Sequence, residues 1–229
     1  MTRRISIIGS FAAIYLLWGS TYFAIALGLQ SIPPFLLMAV RSLCGGLILV
    51  ALKGRELVHA SRRTWLHAAI CGLLFFVGCH GILAFAQQTV PSGVAAIILA
   101  TIPFWIVLID FLFPQKERPS LPIIKALLPG FLGVAIVAWQ SVGQNGLNLL
   151  PIVWLLGAAL SWSVGTVLSR RTSGNVSSML SSGIQLSLGG AALFVISFWR
   201  GEMRGFSPST ISSTSFEAAI YLIISYPVA

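Results

Sequence analysis

Residues 65–113 read WLHAAICGLLFFVGCHGILAFAQQTVPSGVAAIILATIPFWIVLIDFLF, from Trp65 to Phe113, and carry one formal charge, Asp110. The stretch divides at Pro91-Ser92-Gly93 into two apolar runs, Trp65–Gln87 and Pro91–Phe113. Each is about 20 residues long, the length a helix needs to cross ~30 Å of hydrocarbon. With no water to satisfy backbone N–H and C=O groups, a chain crosses lipid only as helices or as a closed barrel. A barrel strand would alternate with period two over about 10 residues. These runs are continuous and about twice that long, so the reading is two membrane helices joined by an uncharged turn.

The same grammar extends outward. Further apolar runs cover Ile5–Leu29, Pro33–Leu52, Leu121–Val142, Leu149–Leu168 and Ser177–Trp199, and an eighth begins near Phe216. Turn residues separate them, as at Ser31-Ile32-Pro33-Pro34, Gly143-Gln144-Asn145-Gly146 and Ser173-Gly174-Asn175. The fold class expected is therefore all-α, a polytopic membrane helix bundle. Arg3-Arg4 before an apolar run resembles a signal-peptide start, but Ile5–Leu29 is too long for one and more spans follow.

Composition agrees. Among 229 residues there are 14 Lys and Arg and 5 Asp and Glu; 57% are hydrophobic and the mean hydropathy is +0.94. Basic clusters fall at every second junction, at Arg3-Arg4, Lys53–Arg63, Lys116–Lys125 and Arg170-Arg171, while the junctions near Ser31, Ser92 and Gly143 carry none. With the N-terminus in the cytoplasm, eleven basic residues are cytoplasmic, Arg41 lies within the membrane and only Arg200 and Arg204 are outside, as the positive-inside rule expects. The net charge of +9 is thus a membrane-topology signal, and nucleic acid is not an expected partner. Cys44, Cys71 and Cys79 lie inside apolar runs with no CxxC spacing, which excludes a disulfide framework or zinc site; no cofactor is expected.

A weak internal repeat appears at an offset of 144. Trp18 matches Trp162, Gly45-Gly46 matches Gly189-Gly190, and Arg41 falls opposite Gln185. An odd number of spans per copy makes the copies antiparallel, an arrangement seen in secondary transporters that bind substrate between inverted repeats. The expected division is a first repeat of five helices over 1–143 and a partial second repeat over 149–229. From Phe216 to Ala229 only about 21 Å of helix is available at 1.5 Å per residue, so a C-terminal truncation is also expected.

Several segments resemble the drug/metabolite transporter superfamily, specifically its EamA-type branch. They are Leu16-Leu17-Trp18-Gly19-Ser20-Thr21-Tyr22 in the first span, the junction Ala86-Gln87-Gln88-Thr89-Val90-Pro91-Ser92-Gly93-Val94-Ala95-Ala96, then Ala100-Thr101-Ile102-Pro103 and Glu117-Arg118-Pro119, and Ala159-Leu160-Ser161-Trp162-Ser163-Val164-Gly165. The resemblance implies an inner-membrane carrier, often an exporter of amino-acid-like or drug-like small metabolites, with a central cavity between two repeats of five helices. Two departures stand out. Related sequences often carry an acidic residue where Gln87 stands, and the second repeat is normally complete.

The candidate substrate-binding residues are Trp18, Tyr22, Arg41, His80, Gln87, Trp162 and Gln185. Arg41, about 12 Å into the second span, is either an anion hook or a structural arginine bonded to carbonyls or stacked on Trp18. Phe76, His80, Ala84 and Gln87 share one face at α-helical spacing, and His80 is either a proton relay or a neutral ring satisfied by a backbone carbonyl. Ser178, Ser181, Gln185 and Gly189 form a polar stripe that either lines a wet cavity or packs against a neighbouring helix. The aromatics Tyr15, Trp18 and Tyr22 either contact substrate or pack. Pro103 is a candidate hinge or a static bend.

A secondary carrier moving small molecules by alternating access is the first functional reading. The chain contains no GxxxxGK[ST], so direct ATP use is not expected. A membrane-embedded lipid-modifying enzyme is the alternative; HExxH, GxSxG and paired carboxylates within spans are all absent. A truncated chain without transport activity is the third. Oligomeric state is not legible in the residues.

Overall fold

The computed structural model describes residues 2–113, 149–171, 175–204 and 206–228, together with 120, 122, 123, 125, 127–130, 132, 133, 135 and 136 between them. The described residues form seven long helices and short 3₁₀ turns. The helices are α1 (Thr2–Gly28), α2 (Pro34–Lys53), α3 (Arg62–Ala86), α4 (Ser92–Leu112), α5 (Leu149–Arg171), α6 (Ser178–Trp199) and α7 (Ser213–Val228). They follow the expected spans within a few residues, except that the eighth span starts at Ser213 rather than near Phe216. The expected fifth span, Leu121–Val142, the Lys116–Lys125 cluster and the Gly143–Gly146 turn lie mostly outside the described residues; the described parts of 122–136 are helical.

Local chemistry sets the boundaries. α2 begins at Pro34, whose missing N–H costs nothing in the first turn. Ser61 caps α3 by accepting Thr64 N–H at 3.2 Å, Ser177 caps α6 through Leu180 N–H at 3.3 Å, and Ser212 Oγ accepts Ser215 N–H at 3.2 Å before α7.

Two helices depart from the regular form the sequence suggests. The middle of α3, Leu73–Gly81, is π-helical. Two of its carbonyls take side-chain partners: Ser161 Oγ donates to Leu74 O at 2.8 Å, and His80 Nδ1 lies 3.1 Å from Phe75 O. α4 is broken at Ala100-Thr101 into Ser92–Leu99 and Ile102–Leu112. Pro103 has no N–H to offer Leu99 O. Thr101 turns back instead, its N–H bonding Ile98 O at 3.1 Å and its hydroxyl the same carbonyl at 2.7 Å.

The bundle is built around α2 and α6, which run antiparallel and in backbone contact. A Cβ on Gly46 would lie 2.7 Å from Ser187 N, and one on Gly190 2.8 Å from Leu43 N. α3 packs on this pair, chiefly on α6, and α5 packs in turn on α3 and α4; α7 packs on α2 and on α1, where Ser215 Oγ donates to Leu27 O at 2.8 Å and Ser20 Oγ meets Tyr221 Oη at 2.5 Å. The connection after α2, the start of α6 and the ends of α4 and α5 share one face. Glu56 accepts Ser177 N–H there at 2.9 Å, and Asp110 pairs with Arg170 at 2.8 Å. This is called the basic face below. Gln30-Ser31 and Arg200–Arg204 lie on the opposite face, lining one hollow.

Candidate functional site

The polar stripe of α6 divides its work. Ser178, Ser181 and Gln185, with Ser182, face a vestibule of ≈ 340 Å³ that starts beside Ser169 and Val176 near the basic face. Gly189, one turn further, packs directly on α3, where a Cβ would meet Gly72 O at 2.6 Å and Phe76 at 2.6 Å. Both readings of the stripe therefore apply, to different turns. Gln185 Nε2 donates to Ser181 Oγ at 3.1 Å, which orients its amide along the wall.

The vestibule ends on a wall of three rings, Phe75, Phe76 and Trp162. Phe75 and Trp162 lie 4.7 Å apart at 53°. Behind them is a crevice lined by Trp18, Thr21, Tyr22, Cys79, His80, Leu83, Leu99, Ile102 and Trp162, with a free volume of ≈ 10 Å³, room for about one water. Trp162 belongs to both spaces. Its ring also meets Trp18 at 6.4 Å and stands edge-on to His80 at 5.1 Å.

Five of the seven candidate residues are thus brought around one axis: Trp18, Tyr22 and His80 in the crevice, Gln185 in the vestibule and Trp162 between. Arg41 and Gln87 line neither space. Arg41 is 3% exposed, with Nη1 3.7 Å from Met38 Sδ, and lies near Tyr22, Cys79 and His80. It sits behind the crevice as a buried positive charge. Gln87, 8% exposed, donates from Nε2 to Tyr22 O at 3.2 Å, and its Oε1 has no hydrogen-bond partner among the described residues. His80 is 7% exposed, stacked on Phe76 at 5.7 Å and 11° and bonded to a backbone carbonyl. Asp110 pairs across helices with Arg170 at 2.8 Å. Pro103 lies just past the break in α4, and Ser163 Oγ of α5 reaches Ile102 O at 3.2 Å across that point.

Residues that sequence reasoning left out include Phe75, Thr21, Ser169 and Ser182. Ser182 carries a visible signal, since it lies three and four positions from Gln185 and Ser178 on the same helical stripe. Phe75 carries none, because α-helical periodicity puts it on a different face from His80, and only the π-helical turn brings it to the wall. Among the described residues no group of His, Cys, Asp and Glu has the arrangement to hold a metal ion.

The model of the EamA-like transporter family matches residues 5–139 and 149–229. Similar proteins include the uncharacterized inner membrane transporter YedA of Escherichia coli K12, 32% identical over 97% of this chain and 71% of its own length. The uncharacterized transporter YvbV of Bacillus subtilis is 27% identical over 82% of this chain and 61% of its own. Protein PecM of Dickeya dadantii is 26% identical over 90% and 67% respectively. A solved crystal structure, 24% identical, superposes with a TM-score of 0.62 over 93% of this chain and 72% of that one, which is a likeness of fold alone.

Proposed function

The chain belongs to the EamA-like transporter family, a multi-pass membrane protein on that footing, and on that premise we propose that it is a secondary carrier exporting small zwitterionic or anionic metabolites across the inner membrane by alternating access. The observation that carries the reading is the polar vestibule that enters the bundle from the basic face and stops at the Phe75–Phe76–Trp162 wall. Serine hydroxyls and the Gln185 amide supply donors and acceptors for a polar solute, and the aromatic wall supplies an apolar contact. Beyond the wall, Arg41 adds positive potential in a low-dielectric setting, which favours a carboxylate-bearing solute moving toward the crevice.

In this reading the basic face is cytoplasmic, with the N-terminus on that side. Residues 1–143 form one repeat and 149–229 belong to a second, inverted one. Trp162, Trp18, Tyr22 and His80 form the barrier between the two sides, and the break before Pro103 lets the outer half of α4 swing. Tyr22 and Gln87 are held together by their hydrogen bond and move as a unit.

The test is uptake and counterflow in proteoliposomes with a panel of labelled neutral and acidic amino acids. At least one member should move faster than in protein-free liposomes, and Gln185→Ala should raise its KM. A panel that is not transported at all, or transport indifferent to Gln185→Ala and Trp162→Ala, would remove the proposed site. Product formation by the protein in detergent, with no compartment present, would favour an enzyme instead.

A further inference from the structure

α2 and α6 keep one antiparallel register along their whole length. Leu43 faces Gly190, Gly46 faces Ser187 and Val50 faces Gly183, each at backbone contact. Continued outward, the same register brings Glu56 to Ser177 at the basic face and Leu36 to Ser197 at the opposite face. At each end a carboxylate closes the pair. Glu56 Oε2 accepts the Ser177 N–H at 2.9 Å. Glu202 Oε2 accepts the Leu36 N–H at 3.0 Å and the Ser197 hydroxyl at 2.9 Å, while Oε1 accepts the Phe35 N–H at 3.4 Å. α2 opens on Pro33, which has no side-chain cap of its own to give. Glu202 supplies the missing acceptor from the far side of the pair. A carboxylate at a helix N-terminus is favoured by the bare N–H groups and by the helix dipole together.

The two contacts are related by the same inversion as the helices. Glu56 follows α2 and reaches the start of α6; Glu202 follows α6 and reaches the start of α2. They are also closed at the same time. The vestibule opens beside Val176 and Ser178 while the Glu56–Ser177 bond is intact. A hollow of ≈ 580 Å³ on the opposite face is lined by Glu202 itself, with Arg200 and Gln88, while the Glu202 bonds are intact. Gates that work in alternation would be closed at one face and released at the other.

We propose that Glu56 and Glu202 are paired latches that hold α2 and α6 as one rigid body, so that access changes by movement of the surrounding helices against this spine. What moves rests on the carrier reading above; the latches themselves do not. The test uses the full chain in lipid nanodiscs, with Cys44, Cys71 and Cys79 replaced by Ala. Spin labels are placed at the exposed pairs Leu52 and Met179 near the basic face, and Val40 and Val195 toward the other.

Without further substitution both pairs give narrow, single-peaked distance distributions. Glu56→Ala at least doubles the width at Leu52–Met179 and leaves Val40–Val195 unchanged; Glu202→Ala does the reverse. Glu56→Gln and Glu202→Gln keep an acceptor oxygen at the same reach and retain most of the narrowness, and they serve where an Ala variant fails to insert. Two peaks at either end of the unsubstituted protein would overturn the proposal. So would a variant that leaves its own end unchanged or widens both. Failure to transport any of the amino-acid panel would sink the carrier reading and leave these widths as they are.

Discussion

Trp18 and Trp162, which stand at matching positions of the internal repeat, meet inside the bundle with ring centroids 6.4 Å apart and planes at 52°. Trp162 is at once the end wall of the vestibule and one side of the crevice. The two rings come from α1 and α5, and folding brings them into contact beside the crevice that both line.

Trp162→Ala should merge the two spaces and expose Cys79, which is 1% exposed in the intact protein and lines the crevice. The rate of Cys79 modification by a small maleimide, read by peptide mass spectrometry, should rise by roughly tenfold or more once solvent reaches the thiol. Cys71, buried elsewhere on α3, is the internal control. An unchanged Cys79 rate would mean that Trp162 does not separate the two spaces.

The Glu56 latch has a pH signature. Hydrogen bonds from the Ser177 side chain and backbone hold the Glu56 carboxyl below its ordinary value of 4.5. A carboxyl lowered in the folded state stabilises fully above its unfolded value, and that contribution is lost as pH falls through the folded one. The thermal midpoint in detergent should therefore drop less between about pH 5 and pH 3 in Glu56→Gln than in the parent. Parallel pH profiles for the two proteins would contradict this.

The contact between α2 and α6 leaves no room for a side chain at Gly46, where a Cβ would sit 2.6 Å from Ser187 Oγ and 2.7 Å from its backbone nitrogen. Gly46→Leu should force the helices apart and cost about 1–3 kcal/mol or more. Ser182→Ala, on the vestibule wall, should stay within about 0.5 kcal/mol. Comparing thermal midpoints of the two variants separates tight packing from cavity lining.

Ser161→Ala removes the donor to Leu74 O in the π-helical segment. Losing that bond should cost about 0.5–1.5 kcal/mol, and amide exchange should rise over Leu73–Gly81. Asp110→Asn breaks an ion pair whose partners are 32% and 55% exposed and should cost less than about 1 kcal/mol. No change in amide exchange over Leu73–Gly81 in Ser161→Ala would show that the Ser161 hydroxyl holds nothing there.

Much of the fold was legible because the features that reveal it are local. Apolar length, Pro and Gly at the turns and the placement of Lys and Arg located every described helix within a few residues. The departures were also signalled in part: Pro103 predicted a break in α4, although the position of the break depended on Thr101 turning back to Ile98. Nothing in the residues of Leu73–Gly81 distinguishes a π-helix from an α-helix. In that segment the carbonyls of Leu74 and Phe75 take side-chain partners, one of them from a distant helix, which no local pattern announces.

For the site, the sequence by itself determined which residues are too polar to face lipid: Arg41, His80, Gln87 and Gln185 all had to be buried, and they are, because an unpaired polar group in hydrocarbon is costly. Only the tertiary structure decided that Trp162 and Gln185 face the vestibule while Arg41 and Gln87 stand behind the crevice, and that Glu56 and Glu202 each reach the helix start of the other half. Hydropathy is a property of one segment, whereas a shared cavity or a cap between distant residues depends on how each helix is rotated and in what register it packs, and no local pattern encodes that.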